Sequence, residues 1–149
     1  MYRLCDAGLT NDTEKTGMEP KDVSGSADAG MVRPAHEVPF KQVAAGRDTS
    51  MQVLVGPAEG AANFVLRRFR MENGGGIPLH TNEVEHEQYV LRGSARVRIG
   101  DEVHHVRAGD VVFIPGGTPH SYDADAGGEP FEFLCIVPNR PDKIRMVDC

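Results

Sequence analysis

Apolar residues in this chain recur at every second position in short runs, and glycine or proline separates the runs. Met51-Gln52-Val53-Leu54-Val55 reads as a strand stopped by Gly56-Pro57. Asn63 to Met71 reads as a second, with Phe64 and Leu66 on one face and Val65, Phe69 and Met71 on the other. Residues 72–79 read as a glycine-rich loop. Glu87 to Leu91 and Ala95 to Ile99 are predicted strands flanking Gly93, and Gly100-Asp101 suits a two-residue hairpin turn with glycine first. Glu102 to Val106, Val111 to Ile114, Ser121 to Tyr122 and Phe131 to Val137 supply the remaining strands, and a polar tail follows Pro138. Close spacing, frequent turns and almost no helical period predict an all-β fold, in which a sandwich or barrel hides the strand edges.

The first 33 residues break this pattern, being rich in Gly, Ser, Ala, Asp, Glu and Lys and poor in aromatic and β-branched side chains. Such a stretch buries too little apolar surface to offset its ordering entropy. The division expected is a flexible tail over residues 1–35 and one domain over residues 36–149, within a chain of 149 residues. A net charge of -6 argues against nucleic acid and anionic membrane as partners. Arg67, Arg68 and Arg70 split between two faces of a strand and read first as a solvated or subunit-contact face, with a basic substrate anchor as the lesser option. The three cysteines, Cys5, Cys135 and Cys149, are odd in number and widely spaced, which excludes a full disulfide framework and a Cys-rich zinc site. With no apolar stretch of membrane-spanning length and no charged-then-apolar start, the expected location is cytoplasmic.

The chemistry gathers in residues 74–93, GGGIPLHTNEVEHEQYVLRG, and residues 109–120, GDVVFIPGGTPH. His80 and Asn82 stand two apart, so an extended chain points both to one side. With His86 and His120 they offer three imidazoles and an amide to one metal ion. Neutral imidazole suits Zn, Fe, Mn, Ni or Cu, whereas an amide oxygen is a harder and poorer donor. The expectation is that the three histidines carry binding, with Asn82 at longer range or through water. His104 and His105 face opposite sides of a strand and are read as non-ligands.

These two stretches resemble the paired motifs of the cupins, G-x5-H-x-H-x3,4-E-x6-G and G-x5-P-x-G-x2-H-x3-N. Gly74, His80 and Gly93 match the first motif, with Asn82 in place of its second His and His86 in place of its Glu. Gly109, Pro115, Gly117 and His120 match the second, and Ala124 replaces its Asn. The string His86 to Gly93 and Phe133-Leu134-Cys135 look like the small single-domain cupins whose metal is held by four histidines, often manganese. The resemblance covers roughly residues 36–138 and implies a jelly-roll β-barrel, a metal inside it and a homodimer. One divalent transition metal per subunit is implied: Mn, Fe or Zn, with Ni and Cu as further candidates. Asn82 removes one of the expected imidazoles.

Parity extends the site. Gln88 should point inward with His86, and Tyr122 with His120. Phe131, Phe133, Cys135 and Val137 form the uncharged, inner face of the last strand. Gln88, Tyr122, Phe133 and Cys135 are therefore the candidate pocket lining. Two functions suit this inventory: a mononuclear metal enzyme, oxygenase-type or isomerase-type, acting on a small organic molecule, or a non-catalytic module that binds a sugar or metabolite.

Overall fold

A computed structural model of the chain describes residues 30–148. Ten strands follow in order: β1 (Lys41–Gln42), β2 (Arg47–Val55), β3 (Phe64–Thr81), β4 (His86–Arg92), β5 (Ser94–Ile99), β6 (Glu102–Arg107), β7 (Val111–Ile114), β8 (His120–Ala124), β9 (Phe131–Pro138) and β10 (Arg145–Met146). All pairings are antiparallel, and the central order is β6-β5-β8-β3-β9-β4-β7. The sheet curls about one core, built from Phe69, Met71, Val90, Val97, Ile114 and Phe133 among others. This is the all-β fold that the strand pattern predicts, in the jelly-roll form that the resemblance implies. Among the described residues, no helix is long and apolar enough to cross a membrane. Most of the expected tail lies outside the described residues; within them, Arg33 donates to Leu54 O and pairs with Glu59 at 2.9 Å.

The expected loop at 72–79 is instead strand, because β3 runs unbroken through it to Thr81. Its first half lies between β2 and β9, ending on the pair Met71 and Phe131. Its second half joins β8, starting at Gly76 opposite Asp123. Gly74, at φ +73°, sits where the strand changes partners. A Cβ on Gly76 would lie 2.1 Å from Tyr122 O, so a side chain is excluded by close approach of the next strand. The stretch reads as a loop because glycines carry no alternating side chains; they are there to let backbones meet.

The three arginines split between two faces as parity predicts, but neither face is simply solvated. Arg67 lines the interior cavity, whereas Arg68 and Arg70 close over Glu132 on the outer face. The Glu132 side chain is wholly buried, so both cations are needed to offset its lost hydration. The turn between β5 and β6 behaves as expected, with Gly100 at φ +60° and Ile99 opposite Glu102.

Gly76→Ala is expected to lower stability by about 1–3 kcal/mol, because the added methyl must displace backbone. Gly127→Ala, where a Cβ meets nothing within 4 Å, should stay within about 0.5 kcal/mol of wild type. Urea denaturation of the two variants checks the difference.

Candidate metal and ligand site

The site is built where β3, β4 and β8 bring their inward faces together. β4 alternates buried and exposed residues, which buries His86, Gln88 and Val90. β8 buries His120 and Tyr122 in the same way. In β3 an extra residue enters between Ile77 and His80, so His80 stands directly across from His120. Pro78, which has no N–H to give the ladder, occupies that irregular stretch. The His80 and His120 ring centroids lie 4.2 Å apart, and those of His86 and His120 lie 5.3 Å apart.

His80 Nδ1 is 2.7 Å from Pro78 O, and His120 Nδ1 is 2.8 Å from Thr118 O. A carbonyl only accepts, so each ring carries its proton on Nδ1 and keeps a free electron pair on Nε2. The buried Nε2 atoms of His86 and His120 have no hydrogen-bond partner. Asn82 completes the group. Its Nδ2 donates to Asp142 Oδ2 at 2.6 Å, and its Oδ1 is buried with no partner. Asp142 Oδ1 in turn accepts from the backbone N–H of Glu83 at 2.8 Å. The carboxylate thus fixes which way the amide faces.

Burial holds all three imidazoles neutral. It lowers His86 to about 3, helped by the nearby Arg67 charge, and His120 to about 4, helped by His80. His80 is lowered as well, again chiefly by burial. Burial also keeps the Tyr122 hydroxyl protonated by raising it far above the ordinary tyrosine range. Gln88 Nε2 donates to that hydroxyl at 2.6 Å, which leaves the phenolic proton itself to be given elsewhere.

His80, Asn82, His86, His120, Gln88, Tyr122 and Phe133 all line one cavity of about 280 Å³. Cys135 lies just behind its wall, where the sulfur accepts from Arg67 Nη2 at 3.1 Å. His104 and His105 are exposed on β6; His105 meets Asp125 at 2.7 Å. Among the described residues, no group of three or more His, Cys, Asp or Glu side chains is arranged to hold a metal ion as it stands. Asp142 was missed as a site residue, and Arg67 entered only with Arg68 and Arg70 as the lesser, substrate-anchor option. Arg67 was one of three adjacent cations with no signal to single it out, and Asp142 lies in a tail whose sequence shows only polarity.

A family profile described as a cupin domain matches residues 67–137. A cupin 2 domain-containing protein from Halorhodospira halophila is 36% identical, with 68% of this chain and 71% of that one covered and a TM-score of 0.63. The chain belongs to the cupins. This cupin is also similar to the polyketide cyclase RemF from Streptomyces resistomycificus, at 30% identity over 81% of this chain and 87% of that one, with a TM-score of 0.74. It is 35% identical over 78 residues to a 1-methylthio-D-xylulose 5-phosphate methylsulfurylase of Rhodospirillum rubrum. That match covers 52% of this cupin and 49% of the relative, so the chain spans about half of that curated relative's length.

The lowered histidines make apo-protein stability depend on pH with a definite sign. Below about 6.5 the unfolded chain takes up protons that the folded site refuses, so stability falls as pH drops from about 6.5 toward about 4. In chelator, wild type should lose about 1–2 kcal/mol more than His86→Asn between about pH 7 and pH 5. Denaturation curves at the two pH values measure it.

Proposed function

We propose that this cupin is a mononuclear metal enzyme acting on a small organic molecule. The observation that carries the reading is the donor set: buried, neutral imidazoles and a partnerless amide oxygen around one cavity. Buried polar atoms without partners are costly, and a cation is what such lone pairs accept. His80, His86, His120 and Asn82 would hold the ion, and Mn, Fe and Zn suit them. A bound divalent ion supplies Lewis acidity toward a carbonyl oxygen.

The residues around it favour isomerase- or cyclase-type chemistry. The Tyr122 hydroxyl, kept protonated and already accepting from Gln88, is a donor for an oxygen that gains negative charge. Phe69, Phe133 and Tyr122 stack in series, with ring centroids 5.1 and 5.4 Å apart, and give a flat apolar wall to orient an unsaturated substrate. The similarity to a polyketide cyclase supports the same direction. An oxygenase-type reaction is the second enzymatic reading, supported by the absence of any carboxylate among the four donors; turnover that persists without O2 separates the two. A non-catalytic binding module is the alternative, favoured by Asn82 in place of an imidazole. Such a module would keep its ligand after chelation.

The subunit is proposed to pair with a second copy. Val111, Phe113, Tyr89 and Ile136 are exposed on the outer face of neighbouring strands β7, β4 and β9, where Tyr89 lies opposite Val111 and Glu87 bridges Phe113 to Ile136. An apolar patch of this kind on an edge strand is a surface that another chain covers.

Calorimetric titration of apo-protein with Mn, Fe(II) and Zn tests the metal reading. Wild type should bind at least one of them, and His86→Ala should remove binding. Asp142→Ala should weaken it about 10- to 100-fold by releasing the Asn82 amide. Failure of wild type to bind any of the three overturns the metal enzyme. Light scattering should give twice the subunit mass, and Phe113→Glu should halve it.

A further inference from the structure

The cavity carries charge of the opposite sign to the chain. The protein's net charge is -6, yet the charged residues lining the cavity are Lys41 and Arg67, and no described Asp or Glu lines it. Arg67 is the informative one. It points inward from β3 at the row where Arg67, Cys135 and Gln88 stand side by side across β3, β9 and β4. Its Nη2 donates to the thiol of Cys135, a weak acceptor, and its guanidinium carbon lies 5.2 Å from the Phe69 ring centroid. Its Nε is buried and has no hydrogen-bond partner. Neighbouring Arg68 and Arg70 both find carboxylates; among the described residues Arg67 has none. A guanidinium in a largely apolar wall, with a sulfur as its bonded partner, lacks the bidentate acid for which its geometry is suited.

We propose that Arg67 is the anchor for an anionic ligand, and that the molecule this cavity takes is a small organic acid whose carboxylate pairs with Arg67 while a flat apolar body lies along Phe69, Phe133 and Tyr122. Lys41, at the same cavity, adds a second positive charge that draws the acid in. The inference deepens the proposed function by naming the substrate class of the same site. The register places the carboxylate beside Gln88, whose amide holds Tyr122, and one alternation from His86, so the rest of the acid reaches the histidines. The Cys135 thiol, raised by burial, stays a neutral background to this pair.

The test uses 2-naphthoate and its uncharged partner 2-naphthamide as probes, with full-length protein in chelator so that no metal competes for the carboxylate. Wild type should bind the acid about tenfold or more tightly than the amide. Arg67→Gln should abolish that preference while leaving amide binding within about threefold, and Arg67→Lys should retain part of it. Lys41→Gln should slow association and leave most of the preference. Equal binding of acid and amide by wild type, which needs no variant to be folded, overturns the proposal; so does an Arg67→Gln protein that keeps the preference. Because the probes are read without metal, the two readings fail separately. A protein that binds no metal but prefers the acid loses the metal role and keeps the anion site, and one that binds metal but does not discriminate does the reverse.

Discussion

The site depends on one irregularity in one strand. β3 supplies Arg67 from its first half and His80 from its second, and between them it changes partners from β9 to β8. The extra residue between Ile77 and His80 then decides which side chain faces His120. In a regular ladder Leu79 would stand there, and the imidazole would turn to the other face of the sheet, because side chains alternate with a period of two. Glycines upstream permit the crossing, and the bulge re-aims the chain after it. Neither has value without the other.

Much of the fold was readable because alternation survives in β4, β8 and β9. His86 with Gln88, His120 with Tyr122, and Phe131 with Phe133 and Cys135 all share the faces that parity assigns. The reading failed where side chains stop reporting on backbone. Gly74 to Gly76 have nothing to alternate, so an extended segment looked like a loop. Asp142 could not be assigned because its role is set by a contact with a residue sixty positions earlier in sequence, and no local pattern encodes that separation. Arg67 could be placed on an inward face only once the register of β3 against β9 was known.

Charge is distributed with the same economy. Glu132 is buried under two arginines on the outside of β9, while the inside of the same strand presents Phe133 and Cys135. The carboxylate buried on the outer side, Glu132, is matched to two cations, while single atoms there, Gln52 Oε1 and Arg92 Nε, lack partners. Those buried on the inner side at Asn82, His86 and His120 are left with atoms unspoken for. Their gathering around one cavity, where the scattered outer atoms do not gather, marks the inner set as a candidate for work beyond its own folding.

The cavity has a floor and a rim of different construction. Its floor comes from β3, β4 and β8, strands of five to eighteen residues held on both sides through most of their length. Its rim comes from Lys41 to Ala45 and from Ile144, which belong to or adjoin β1 and β10, two-residue strands paired on one side only. Opening free energies follow such differences, since a short edge pairing lets go at a cost far below that of global unfolding. For the guest molecule proposed above, admission would thereby be separated from the positions of the atoms that meet it: the doorway could fray on its own timescale while the inner side chains stay where the long strands put them.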